Sequence, residues 1–320
     1  MLELLNKKKA INIIKAFTFF TSIALFFWLA NPMNLYTFLV NQDIRLILDS
    51  ILFLALSHIL YAFRWVLIIK LGSKSSNTFK PFINYLVALF YNSFTPANMG
   101  GDVYRFYADS SKINDKSYIL GLLIFERLIG LIIFLGFSTI VFSNIFKFFI
   151  NEPDSNFFLL LGLMLIIFAF LLILFRRSIV KLVKSIGFIN ESFSIVRKSF
   201  LNGKLTMVSL IVSFIGVLLC VLSFDLLIKA NEMIIPFWTL FGIFCAIELI
   251  RALPISYQGF GFREGFFAFC AVSFGSWSLE DAIYIAGFYY ILVSFALAMT
   301  GFTAFLIKNI ITYFYTGDNS

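Results

Sequence analysis

The chain has 320 residues, a formal charge of +8 and a pI near 9.3, with 61% hydrophobic and only 13% charged residues. Soluble domains sit near ~45–50% and ~25%, and no polar stretch here is long enough to fold as a soluble domain, so any chemistry occurs in or at a bilayer. The basic excess flanks apolar runs, where it sets orientation and attracts anionic lipid heads; no nucleic-acid partner is expected.

Several apolar runs reach the ~20 residues a helix needs to cross a bilayer core. The fold class expected is an all-α polytopic membrane protein, one integral membrane domain over 1–320. Lys7, Lys8 and Lys9 precede a run from Ala10 to Ala30 that exceeds the ~7–15 residues of a signal-peptide core, so it reads as a retained first span, Ile11–Ala30. Span two covers Leu46–Ile69. Phe82–Phe94 is apolar but short, and ends at a polar break. Full spans follow at Tyr118–Phe142, Phe157–Phe175 and Leu205–Ile228. Pro236–Ile250 is again short and leads into a second break, Phe266–Phe274 follows it, and a last span covers Ala282–Ile307. Ile179–Ile186, with Arg176, Arg177, Lys181 and Lys184 beside its apolar residues, reads either as a helix lying on the inner leaflet or as a solvated linker.

Charge orients these spans. Lys7–Lys15, Lys70–Lys80 and Arg176–Lys204 hold 14 of the 25 bases and belong on the cytoplasmic side. That requires Phe82–Phe94 to enter as a re-entrant arm and return, and it leaves the loop Ser143–Asn156 outside. Pro236–Phe274 then forms a second re-entrant pair from the outer side, with both termini cytoplasmic. The expected plan is six full transmembrane helices plus two re-entrant broken arms. It forms two inverted halves, 10–142 and 157–310, joined by an outer loop; eight ordinary crossings would violate the positive-inside rule once.

The two breaks share Pro-x4-Gly-x3-Arg. The first is Pro96-Ala-Asn98-Met-Gly100-Gly101-Asp102-Val-Tyr-Arg105; the second is Pro254-Ile-Ser-Tyr-Gln258-Gly259-Phe-Gly261-Phe-Arg263-Glu264. Paired breaks at corresponding places in two halves point to a transport site. Glu126 and Arg127 lie within a span, and neighbours on a helix point about 100° apart, so each needs a partner on another element. A charge at mid-bilayer costs about 2.5–3.5 kcal/mol on insertion scales. Asp102, Arg105, Glu126, Arg127, Glu248, Arg251, Arg263 and Glu264 are therefore expected to share a polar cavity, and all are candidate substrate-binding residues.

Gly100, Gly101, Gly259 and Gly261 either serve only tight backbone turns or belong to the substrate-binding set. Asn98 and Gln258 either offer amides to that head group or cap broken helices. Arg105 and Arg263 either anchor at interfaces or fork onto lipid phosphate, and Asp102 and Glu264 either hold a cationic head group or orient the arginines. Asp225 and Lys229 are spaced for a structural ion pair. His58, the lone histidine, reads as a polar spot between helices, and Cys220, Cys245 and Cys270 as small buried hydrophobes without metal or redox spacing.

These motifs, Pro96-x3-Gly-Gly-Asp-x2-Arg105, Glu126-Arg-Leu-Ile-Gly130 and Leu253-Pro-x4-Gly-x-Gly-x-Arg-Glu264, give the chain a resemblance. It is similar to the lysylphosphatidylglycerol synthase transmembrane region, over about residues 10–310. The resemblance implies flippase-like movement of a lipid across a bacterial cytoplasmic membrane, with Asp102, Arg105, Glu126, Arg127, Arg263 and Glu264 inheriting the site; the synthase activity does not carry over. No Gly-x4-Gly-Lys-Ser/Thr loop occurs, so nucleotide hydrolysis is not expected, and no cofactor or metal is. The partners expected are membrane lipids with anionic or polyprenyl-linked head groups, and an oligomer stays open. The competing reading is a polyprenyl-phosphate glycosyltransferase or its accessory subunit, and a further one is a structural subunit of an envelope complex.

Overall fold

Long apolar runs free of proline have only one way to satisfy their backbone away from water, which is as helix. The computed structural model describes residues 43–72, 78–95, 98–113, 116–150, 187–252, 259–275 and 277–317. They form nine helices: α1 Ile44–Gly72, α2 Phe79–Ser93, α3 Met99–Ile113, α4 Lys116–Ile150, α5 Gly187–Leu201, α6 Gly203–Ala230, α7 Phe237–Ala252, α8 Phe262–Gly275 and α9 Leu279–Gly317. No strand occurs among the described residues. The expected spans at 11–30 and 157–175, the amphipathic stretch before residue 187, and Pro96, Pro254 and Gln258 lie outside the described residues.

Four helices carry stretches long and apolar enough to cross a bilayer: Ile44–Lys70, Lys116–Phe142, Gly203–Ala230 and Leu279–Ile310. The chain is an all-α polytopic membrane protein. At 1.5 Å per residue, α2, α3, α7 and α8 each extend only about 20–25 Å, short of a core about 30 Å thick. The described order is thus a long helix, a broken pair and a long helix, twice, with α5 between the sets.

Local signals set the ends. Asn202 caps α6 by accepting from the Leu205 amide at 3.2 Å, and the Ser278 hydroxyl accepts from the Asp281 amide at 3.1 Å at the start of α9. One expectation shifts here. Residues 143–150, expected in an outer loop, continue α4 as helix, because Phe142–Ile150 is mostly apolar and has no glycine or proline before Pro153. α5 packs on α4, with Ser192 donating to the Ser117 carbonyl at 2.9 Å and Phe125 edge-on to Phe200 at 4.9 Å. This part of the basic region is helix against protein.

α1 and α6 meet along a seam of small residues, which lets helix backbones approach closely. Ser50 and Ser223 share a hydrogen bond of 2.7 Å. Ser57 donates to the Gly216 carbonyl at 2.9 Å and lies 3.1 Å from the Cys220 sulfur. Tyr61 packs where a Gly216 side chain would stand. The main apolar core joins α6, α7, α8 and α9 around Phe224, Phe241, Phe267, Tyr289 and Tyr290, with Phe224 stacked on Tyr289 at 4.1 Å. The three cysteines are free and buried, and Asp225 and Lys229 pair at 2.6 Å.

Candidate functional site

α2 and α3 form an antiparallel hairpin. Tyr91 stacks on Tyr104 at 4.9 Å, and Asn84 donates to Asp109 at 2.6 Å further from the turn. The hairpin closes because α3 begins with two glycines. A Cβ on Gly101 would stand 2.5 Å from the Asn92 side-chain oxygen and 2.6 Å from the Ala88 carbonyl, and one on Gly100 would stand 2.6 Å from Thr95. The same neighbours cap the helix: the Gly101 amide donates to Asn92 Oδ1 at 2.7 Å and the Gly100 amide to Thr95 Oγ1 at 2.9 Å. Asn98 occupies the turn at φ +53°, a left-handed conformation that asparagine tolerates. Its carbonyl accepts from Arg127 Nη2 at 3.2 Å.

From this hairpin runs a chain of alternating charge. Arg127 Nε donates to Asp102 Oδ2 at 2.5 Å, and Arg105 donates to Asp102 Oδ1 at 2.6 Å and to Glu126 Oε2 at 2.7 Å. Arg64 of α1 donates to Glu126 Oε1 at 2.5 Å and also to Ser213 of α6. Both oxygens of each carboxylate are therefore occupied. Arg105 lies between the faces of Trp65 at 4.5 Å and Tyr85 at 4.8 Å, a setting that favours a guanidinium. Glu126 lies ten residues, about 15 Å, into α4, so the chain is deep in a helix that crosses the bilayer. Neither Glu126 nor Arg127 pairs with the other.

The charge chain lines a cavity of about 480 Å³ to which α1, α2, α3, α4, α6, α7 and α9 contribute residues. α7 contributes Glu248 and Arg251, paired at 3.0 Å. α1 contributes Leu54, His58, Tyr61 and Arg64 at helical spacing, α6 contributes Ser213, Val217 and Cys220, and α9 contributes Tyr289 and Tyr290. Three buried polar atoms on residues of this lining have no hydrogen-bond partner among the described residues: His58 Nδ1, Arg64 Nε and the Tyr290 hydroxyl.

Of the residues expected at the site, Asn98, Asp102, Arg105, Glu126, Arg127, Glu248 and Arg251 line the cavity. Gly100 and Gly101 stand behind it as close-approach positions. Arg263 and Glu264 depart from the expectation of a shared cavity. They stand in the first turn of α8 rather than in a break, and they bond each other at 2.6 Å. Glu264 also reaches back to accept from the Gly261 amide at 2.7 Å, a capping arrangement, while Arg263 lies over the Tyr290 ring at 4.1 Å. They support the cavity wall from behind. Gly259 and Gly261 take φ +77° and +86°, a turn requirement only glycine meets readily. Gly259 also packs 3.3 Å from the Arg251 Cα, measured from the place a Cβ would take.

Arg64 was missed in the sequence, although a lone arginine in an apolar span carries the same signal of cost as Glu126. A second missed cluster ties α9 to the hairpin: Lys308 donates to Asn84 at 2.9 Å and to the Tyr104 hydroxyl at 2.6 Å, and Trp65 donates to Asp109 at 2.9 Å.

No curated protein and no solved structure matches the chain. The model of one family, described as the lysylphosphatidylglycerol synthase TM region, matches residues 13–303. That match takes in both broken pairs, the alternating charge chain and nearly every described helix; the chain belongs to the lysylphosphatidylglycerol synthase transmembrane-region family.

Proposed function

We propose that the protein moves a lipid between leaflets of a bacterial cytoplasmic membrane without nucleotide hydrolysis, by passing the head group through the cavity while the tails stay in hydrocarbon. One observation carries this reading: a partly open cavity inside an apolar bundle, with four arginines and three carboxylates among its lining residues, contributed by helices of both sets. A polar chamber at depth is costly unless it is used, and in transporters the substrate site lies where broken helices from two repeats meet.

In this reading the pairs α2–α3 and α7–α8 are re-entrant arms, the two sets of helices are inverted halves, and both termini are cytoplasmic. Membership of a lipid-related membrane family supports a lipid as the substrate. Arg127 and Arg251 line the cavity from different helices and both keep some exposure, so they can be altered with little harm to folding. Arg127→Gln and Arg251→Gln should each stop dithionite-accessible movement of a fluorescent lipid in proteoliposomes while insertion of the protein persists. Wild-type rates in both variants would take the cavity off the path.

A further inference from the structure

We propose that Asp109 and Lys308 are positioning residues for Arg105: with Asn84 they hold the Trp65 indole against the guanidinium, and so set the charge chain from outside the cavity. The proposal rests on the lipid reading above, in which Arg105 belongs to the site, and adds residues that act on it without touching substrate.

The line is continuous and buried. Lys308 of α9 donates to the Asn84 side-chain oxygen at 2.9 Å, and the Asn84 amide donates to Asp109 Oδ1 at 2.6 Å. Trp65 Nε1 donates to Asp109 Oδ2 at 2.9 Å, and Arg105 lies over the Trp65 ring at 4.5 Å. Asn84 and Trp65 are 0% exposed and Asp109 is 5% exposed. Arg105 lines the cavity, whereas Lys308, Asn84, Asp109 and Trp65 are not among its lining residues. Arg105 and Asp109 stand at i and i+4 of α3, on one face of that helix. Two successive turns therefore grip Trp65, one at its ring and the other at its N–H.

Donors and acceptors give the line a direction. An ammonium only donates and an ionised carboxylate only accepts. Between Lys308 and Asp109 the Asn84 amide has one orientation that satisfies both, with its carbonyl toward the lysine and its NH2 toward the carboxylate. The second carboxylate oxygen is left for the indole N–H, and holding that end of the indole fixes the plane of the ring. Arg105 depends on that plane, because a cation is drawn to the face of an indole and not to its edge. Tyr85 closes the other side of the guanidinium at 4.8 Å. An indole turned out of place would shift Arg105, and with it the Asp102 and Glu126 carboxylates that Arg105 bonds.

A cluster that only tied helices together would cost stability when altered; a positioning line predicts suppression. Asp109→Asn keeps the shape but turns an NH2 toward one of two donors. Lys308 locks Asn84, so the conflict falls on Trp65. In a Trp65→Phe background the conflicting N–H is gone. In a Lys308→Met background Asn84 can turn over, offer its carbonyl to the introduced NH2, and leave the introduced carbonyl for the indole.

The test reads dithionite-accessible lipid movement in proteoliposomes for the full chain, with unfolding temperatures recorded alongside to separate lost function from lost fold. Trp65 emission is read in parallel on the chain with Trp28, Trp238 and Trp277 changed to Phe, which leaves Trp65 as the one tryptophan of the four. Asp109→Asn should slow movement about ten-fold and shift the emission to shorter wavelength, as the indole loses its carboxylate. Adding Lys308→Met should bring movement back to within about three-fold of Lys308→Met alone and reverse most of the shift. In the Trp65→Phe background Asp109→Asn should change movement by less than about three-fold. Ten-fold losses in all three backgrounds, or an emission shift with unchanged movement, would overturn the proposal. Absence of movement in the wild type would sink the translocation reading alone. The emission then decides the line by itself: no shift in Asp109→Asn, or none reversed by Lys308→Met, overturns it.

Discussion

Glu126→Gln is the sharpest perturbation of the buried charge chain. Glu126 is the one carboxylate shared by two buried arginines, at 2.5 and 2.7 Å. Glutamine keeps the shape and can still accept from one guanidinium, but its amide then turns a donor toward the other. One charge-assisted bond, about 1.5–3 kcal/mol, is lost outright, and the chain of three arginines and two carboxylates rises from +1 to +2. Removing one partner of a buried pair costs about 3–5 kcal/mol in all, which is the destabilisation we expect. The three buried free cysteines supply the probe, since a thiol-reactive dye labels them only as the fold opens. Arg64→Met added to Glu126→Gln removes the surplus charge and should recover a large part of the loss, because apolar replacement of buried pairs is often neutral. A shift of less than about 1 kcal/mol in the single variant, which is ordinary for any substitution, or no recovery in the double one, would refute the argument.

Two further outcomes concern packing and surface charge. Gly101→Ala drives a Cβ against the Ala88 carbonyl and Asn92; it should destabilise by about 1–3 kcal/mol, whereas Gly136→Ala, with no atom within 4 Å, should be neutral or gain up to about 1 kcal/mol from helix propensity. The same thiol-labelling melt reads both. Asp225→Asn breaks an ion pair between a mostly exposed lysine and a buried carboxylate, so its melt should fall by about 1–3 kcal/mol.

The helices were legible because hydropathy and proline placement report directly on what a bilayer permits: both ends of α6 and the start of α9 fall within three residues of those expected, although α9 runs on ten residues past its expected end, and the short apolar stretches before both breaks are short helices. The need for Glu126 and Arg127 to find partners on other elements was also legible, since it follows from helix geometry alone. The identity of those partners was not. Arg64 is 62 positions from Glu126, and a single arginine in an apolar span can as readily be taken for one that snorkels to an interface. Arg263 and Glu264 misled for the reverse reason: placed beside a break, they looked like its lining, yet the helix begins one residue before them and turns them onto each other and Tyr290. Asp109 escaped notice because its partners, Trp65 and Asn84, are neutral and leave no trace in a count of charges.

The serine, glycine and cysteine contacts between α1 and α6 act as a keel for the whole molecule. One of these helices belongs to the first set of elements and the other to the second, so the two sets are fastened along their length by interlocking hydroxyls and by Tyr61 seated over Gly216. Sliding or tilting one set against the other would strip those hydroxyls of their partners at a depth where no water replaces them.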